Sequence, residues 1–330
     1  MKTSIVTHPL LCLSIVALLI AGCADSPPNP VGQVPPAGIP ATPPRVFDSP
    51  AEAIKSLLAA TQAKDVAAVR EIFGSQVGDL LSGDPTQDAV EFENFSKAVA
   101  VLCNPVNVNE NKVVLYTGAK NWPFPIPLAK QDNGKWFFDT AAGREEVLNR
   151  RIGQDELTAI GVCKAYVAAQ HEFASVDRNA DGILNYAQRL NSTSDRHDGL
   201  YWAPVEGEDL SPLGPLVAAA HEDGYDSDKP VGRTEPFQGY LFKILKEQGS
   251  DAPGGKYNYV INGNMVAGFA LVAYPAHWGE SGIMTFIVNQ NGKIYQHNFG
   301  EKSAQLGAAM TAFNPDQNWT VVDSNGLVTP

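Results

Sequence analysis

A proline run sets the first limit on what this chain can fold into. Residues 24–45 read ADSPPNPVGQVPPAGIPATPPR and hold eight prolines. Proline locks φ and lacks an N–H, so neither helix nor sheet propagates through such a stretch. The run predicts an extended tether, about 60–70 Å long at roughly 3.1 Å per residue. A PxxP segment that binds a partner has the same composition and is the rival reading. A folded body must begin after it. From Val46 onward about 285 residues remain, room for two modest domains or one large one.

The residues before the tether have the three parts of an export signal over 1–22. Lys2 supplies the positive start, Leu10–Ile20 is almost wholly apolar, and the small pair Ala21-Gly22 precedes Cys23. The apolar run is too short to cross a bilayer, which takes about 20 residues. Ile20-Ala21-Gly22-Cys23 resembles the lipobox of bacterial lipoproteins. The resemblance implies cleavage before Cys23 and acyl chains such as palmitate on that cysteine, because the thioether to diacylglycerol forms on sulfur. Two or three chains anchor a protein stably where one does not. Ala24, not Asp, follows the cysteine. In a host with two membranes, this resembles the pattern for the outer membrane, facing the periplasm. The membrane is therefore the first expected partner, and an envelope protein the second.

The chain has 36 acidic and 24 basic residues, a formal charge of -12. That excess argues against nucleic acid, whose phosphates demand a basic face. It is compatible with a bound cation and equally with a solvated surface. Cys12 leaves with the signal, so Cys103 and Cys163 are the unmodified cysteines of the mature chain. Outside the cytoplasm they either pair as a disulfide or remain two buried free thiols.

Hydrophobic periodicity divides the body into 46–150 and 151–330. In the first unit, Ser49-Pro50 opens a helix as cap and first residue, with Glu52 behind them. Asp65 opens a second helix that ends at Gly74. A third covers about 89–101. Lys112–Gly118, Ile126–Lys130 and Lys135–Thr140 read as strands, the last two joined by an Asp132-Asn133-Gly134 turn. Trp122, Trp136, Phe137 and Phe138 are candidates for a pocket lining or for plain core. The second unit starts with a helix over about 154–176. A loop region over about 177–239 follows, with a short helix at 215–221. Strands at 239–245, 265–274, 284–289 and 293–298 come next, then a closing helix at 303–312. Helices beside antiparallel strands make the fold class α+β. The first unit resembles the cystatin-like or NTF2-like cone. The second, a long helix and an antiparallel meander, resembles the globular part of type IV pilins.

Six strings carry a further resemblance: Phe47-Asp48-Ser49-Pro50, the segment Trp122 to Leu128 (WPFPIPL), the segment Phe138 to Glu146 (FDTAAGREE), Asp198-Gly199-Leu200-Tyr201-Trp202, the segment Ser211 to Leu216 (SPLGPL), and the segment Gly282 to Asn289 (GIMTFIVN). Over about 47–320 the chain resembles the DUF2950 family of bacterial exported proteins. The resemblance implies export and assigns no activity.

One motif carries chemistry. Asp177, Asn179, Asp181 and Gly182 match the first half of a calcium loop, D-x-[DN]-x-[DN]-G. Calcium takes six to eight oxygens, so alternate residues would turn inward, with the Ile183 carbonyl seventh and Asn185 ninth. Gln188 stands at the twelfth position, where a bidentate Glu belongs, and a short helix is expected at 186–190. The alternative is a metal-free polar turn. If calcium binds, its expected role is structural; no other cofactor is expected.

Enzyme motifs fail. His171-Glu172 lacks a second histidine four residues after the first, and Gly279-Glu280-Ser281-Gly282 is one residue short of a nucleophile elbow. The histidines at 171, 197, 221, 277 and 297 are scattered. Asp198, Tyr201, Trp202 and the Trp122–Pro127 segment are candidates for a binding cleft. The expected function is a membrane-anchored binding or accessory module without catalysis. The alternative is a periplasmic or surface hydrolase with its site between the two units.

Overall fold

The computed structural model describes residues 42–322 apart from 179–180, 194–195, 208, 224 and 226–234. The signal, Cys23 and nearly all of the tether lie outside the described residues, and so does Asn179. The fold is α+β, and all strand pairs but one are antiparallel. The chain divides into two compact units between Arg151 and Ile152.

The first unit opens with three capped helices. In α1 (Pro50–Gln62) the Ser49 hydroxyl accepts from the Glu52 N–H at 3.2 Å, and Glu52 reaches back to the Asp48 N–H at 2.8 Å. Asp65 caps α2 (Val66–Phe73) in the same way, accepting from the Ala68 N–H. The third helix, α3 (Pro85–Val101), starts earlier than its apolar spacing suggests, because Asp84 and Pro85 form another cap-and-proline start. A sheet follows in the order β1 (Cys103–Asn109), β2 (Lys112–Thr117), β4 (Leu128–Lys130) and β5 (Trp136–Phe138), with β3 (Trp122–Pro123) on β2. Phe124 stacks on Phe95 at 5.2 Å and meets Phe73 and Phe138 edge-on, so the WPFPIPL segment is core. Phe138 is fully buried, whereas Trp122, Trp136 and Phe137 are half-buried. None of the four lines the hollow of this unit, which α1, Pro105, Asn107 and Val113 enclose.

A helix of 34 residues, α4 (Thr140–Phe173), contains the division between the units. Its first turns belong to the first unit. There the Arg151 side chain is 1% exposed and donates to the Leu80 and Leu81 carbonyls. Asp88, Asp84 and Glu91 are buried in the same unit, and Asp88 accepts from the Ser82 N–H at 2.9 Å.

The second unit is built on a five-stranded antiparallel sheet. It runs β15 (Thr320–Val321), β13 (Ile294–His297), β12 (Thr285–Asn289), β11 (Ala270–Pro275) and β6 (Tyr240–Leu245). Every residue of β11 and β12 is buried, which explains why both read as continuous apolar runs. The Asn289–Gly292 hairpin closes with Gly292 at φ 72°, a left-handed value that glycine adopts without strain. Two smaller groups complete the strands. They are β7 (Glu247–Gln248) between β8 (Tyr257–Asn258) and β14 (Ala312–Phe313), and the hairpin of β9 (Val260–Ile261) and β10 (Asn264–Met265). Two short helices, α5 (Gly214–Glu222) and α6 (Ser303–Ala309), belong to the same unit, and α6 packs on β11. The helix expected at 186–190 is absent. Tyr186 instead bridges to Met265, and Ala187 is taken by a side chain of α4.

Cys103 and Cys163 are both free. Cys163 is fully buried in the core of the second unit and Cys103 is half-buried at the start of β1, in the first. Burial raises both thiols, that of Cys163 to about 12.

The Asp88 carboxyl is pushed up to about 6 by burial, against the lowering effects of Ser82 and Arg151. A carboxyl raised in the folded state favours folding most when protonated. Its contribution is therefore lost as pH rises from about 4 to about 6, some 3 kcal/mol at roughly 1.4 kcal/mol per pH unit. Asp88→Asn cannot ionise and keeps the Ser82 acceptor. Denaturant titrations over that range are expected to show a smaller loss of stability for the variant and a net gain over wild type near pH 7. Parallel profiles would contradict the assignment.

Candidate functional site

The site starts from one buried side chain on α4. Gln170 has no exposed surface, and its amide is fully engaged. Its Oε1 accepts from the Ala187 N–H at 2.8 Å, and its Nε2 donates to the Ala187 carbonyl at 2.8 Å and to the Tyr166 hydroxyl at 2.9 Å. Tyr166 in turn donates to the Ala270 carbonyl of β11 at 3.1 Å. A side-chain amide thus replaces the backbone partner that Ala187 would find in a strand. Beside it, Tyr186, His171 and Tyr166 meet Phe269 edge-on at 4.8 to 5.6 Å between ring centroids.

The segment 185–203 folds back on itself beyond this clamp. Leu200 and Tyr201 donate to the Arg189 and Leu190 carbonyls, and Ser192 donates to the Tyr201 carbonyl. Asp198 accepts from the Thr193 N–H at 2.7 Å and from its hydroxyl at 2.9 Å. Burial alone would raise the Asp198 carboxyl; those two bonds and the nearby Arg189 charge bring it below the usual range. Gly199 is required by close approach, since a Cβ there would lie 2.5 Å from the Asn191 carbonyl carbon. Leu200 is fully buried, and the Trp202 indole donates to the Asp209 carbonyl.

A pocket of about 1330 Å³ opens on this segment. Among the described residues its wall carries Arg178, Arg189, Arg196 and Lys246, and a single carboxylate, Asp198. Rings supply the rest. His197 stacks on Trp202 at 4.2 Å with the planes 17° apart. The Arg178 guanidinium lies 5.1 Å from the Trp202 ring and 5.2 Å from the Phe173 ring, at cation–π range for both. Tyr186 and Tyr201 also line the wall.

The residues expected to matter from sequence fall in different places. Asp198, Tyr201 and Trp202 line this pocket. Trp122–Pro127 does not line it, and its Phe124 and Ile126 are core residues of the first unit. In the calcium motif, Asp177 accepts from the Gly182 N–H and Asp181 from the Ile183 N–H, both at 2.8 Å. Gly182 takes φ 82°, as the motif requires. The Ile183 carbonyl accepts from the Asn185 amide. Gln188 turns elsewhere: its oxygen accepts from the Lys246 ammonium at 3.0 Å and its nitrogen donates to the Gly263 carbonyl. The second half of a calcium loop is therefore not assembled. Among the described residues no three His, Cys, Asp or Glu side chains converge as metal ligands. Sequence reading missed Gln170 and the four cations. The available signal was three arginines from 178 to 196 in an acidic chain, with Tyr186 among them and Tyr201-Trp202 just after.

The molecule is thus a two-unit α+β protein with a basic, ring-lined pocket in its second unit. A family model described as "Protein of unknown function (DUF2950)" matches residues 44–322, and the chain belongs to that family. No curated protein and no solved structure matches it, so the likeness to pilins is not shown.

Gln170→Leu would keep the side-chain volume and remove both partners of Ala187. An unpaired buried polar group costs about 1–3 kcal/mol. The variant is expected to lose at least about 2 kcal/mol of unfolding free energy in denaturant titration. A loss within experimental scatter of zero would mean that the clamp is not a determinant of the fold.

Proposed function

We propose that this chain is an envelope lipoprotein, held to a membrane through acyl chains on Cys23, whose second unit is a ligand-binding module. The Ile20-Ala21-Gly22-Cys23 motif and the proline tether support the anchor. Among the described residues no helix is long and apolar enough to cross a membrane, so these offer no competing anchor of that kind. The observation that carries the binding reading is the pocket itself. Its volume suits an organic ligand larger than a single ion, and its walls combine flat rings with groups that make directional polar contacts. The backbone bonds between 189–192 and 199–201 and the Gln170 clamp support that wall.

A weak structural calcium site in the 177–185 turn is a second reading, favoured by one atom. Asp177 Oδ1 is buried and has no hydrogen-bond partner among the described residues. Asp177, Asp181 and the Ile183 carbonyl would contribute oxygens, with Asn185 beside them. Gln188, engaged by Lys246, would contribute none.

Three measurements test these readings. Cys23→Ser is expected to move the protein from the membrane to the soluble envelope fraction; retention in the membrane would sink the anchor. Trp202→Phe removes the indole on which His197 and Arg178 rest and its bond to the Asp209 carbonyl, and by loosening that wall it is expected to weaken any small ligand found by thermal-shift screening at least about tenfold, roughly 1.4 kcal/mol. Unchanged affinity would place binding elsewhere. Calcium is expected to raise Tm to a plateau, because a ligand of the folded state stabilises it. Asp181→Ala should abolish the rise. No rise at millimolar calcium reduces the motif to a turn.

A further inference from the structure

We propose that the pocket takes a multiply charged oxyanion: carboxylate, sulfate or phosphate groups carried on a ring-bearing scaffold such as an acidic sugar. This rests on the reading of the second unit as a binding module and names the class of its ligand. Among the described residues four cations and one carboxylate line the pocket, in a chain whose acids outnumber its bases by 36 to 24. The local charge is therefore opposite to the global charge, and the one acid is already occupied. Asp198 holds two hydrogen bonds from Thr193 and lies 4.0 Å from Arg189.

Two of the cations have no anionic partner of their own. Arg178 makes no hydrogen bond or ion pair among the described residues, and its buried Nε has no acceptor. Both rings beside it engage the guanidinium face; its in-plane N–H edge is the part that pairs with two oxygens of a carboxylate or phosphate. An unsatisfied buried donor of this kind calls for an acceptor. The Arg196 side chain, on the pocket rim, also has no acceptor among the described residues. Lys246 is satisfied only by the neutral Gln188 oxygen. Asp177 and Asp181 are not among the residues that line the pocket, and each directs an oxygen to an amide of its own turn.

The net charge of -12 does not defeat this attraction. At physiological salt, exposed charges are screened beyond about 8 Å, so distant carboxylates repel the ligand weakly. The cations that touch it in a concave site act at contact and are screened much less. The rings set the other half of the specificity. Half-buried His197, Tyr201 and Tyr186 supply ring surface that a bare inorganic ion does not use, with His197 backed by the buried Trp202. A volume of about 1330 Å³ accommodates several sugar rings rather than one small acid.

The test is isothermal titration of the full chain, purified in detergent, with three probes: trigalacturonate, inositol hexakisphosphate and maltotriose. At least one anionic probe is expected to bind, with affinity that falls as sodium chloride rises. Arg196→Glu, on an exposed rim residue that fixes no other side chain, is expected to weaken that binding about tenfold or more. Arg178→Lys keeps the charge but loses the planar fork, and it should weaken binding without abolishing the salt dependence. Trigalacturonate alone would point to a carboxylated sugar, and the hexakisphosphate alone to a phosphate ester; either supports the proposal. Maltotriose binding as tightly as trigalacturonate, indifferent to Arg196→Glu, would overturn the oxyanion class and leave the binding module standing. Anion binding unchanged in both arginine variants would overturn the assignment to this pocket. No binding of any probe at millimolar concentration would overturn the proposal together with the reading it rests on.

Discussion

The architecture of the second unit depends on one buried amide. Gln170 joins the 185–188 segment to α4, and through Tyr166 it reaches the Ala270 carbonyl in the sheet. Four hydrogen bonds fix a non-repetitive segment to the two most regular elements of the unit. The net gain from each is modest, about 1 kcal/mol, but the penalty for leaving its buried partner unpaired is larger. The segment therefore has one low-energy position. Everything on the pocket wall between Asn185 and Ala203 inherits that position, including two arginines, the histidine and the indole.

A wall fixed in this way can hold charge that a flexible loop could not. Like-charged side chains repel, and a mobile segment would move apart to relieve them. Here backbone bonds between 189–192 and 199–201 oppose that movement, and Gly199 lets the two sides approach closely. Arg178 is held from a different side, against the Phe173 and Trp202 rings. Positive charge is thus held in place in a chain that is acidic overall. Rigid placement before binding spares a ligand the cost of ordering the side chains that receive it.

Local sequence chemistry revealed the helix starts better than the strands. Ser49-Pro50 and Asp65 cap the helices that they announce. Asp84-Pro85 does the same and was passed over, because the apolar spacing of α3 begins only after it. Strand β1 was missed for a physical reason: CNPVNVN is an edge strand with six of its seven residues exposed, so no alternation marks it. The first turns of α4 were missed because Gly143 and a run of charged residues break the apolar stripe. Gly143 is there because a Cβ would meet Ile126 at 2.6 Å. Asn262-Gly263, both at positive φ, was a readable hairpin between β9 and β10. The pocket was the least legible part. Asp198, Tyr201 and Trp202 stood out as a string, but their wall forms through Gln170 and Lys246, and Lys246 reaches Gln188 from 58 residues away. Tertiary hydrogen bonds of that kind leave no period in a sequence. They also explain why a calcium motif legible in its first half is not completed in its second.

Native-state hydrogen exchange at the Ala187 amide tests the central claim most directly. Ala187 lies in no helix or strand, and only the Gln170 oxygen receives its N–H. If the clamp holds the pocket wall in the free protein, this amide exchanges as slowly as those in β11 and β12, and it opens only with them. Exchange as fast as that of an exposed loop, without ligand, would contradict the account. The wall would then form on binding, and the pocket would not be preorganised.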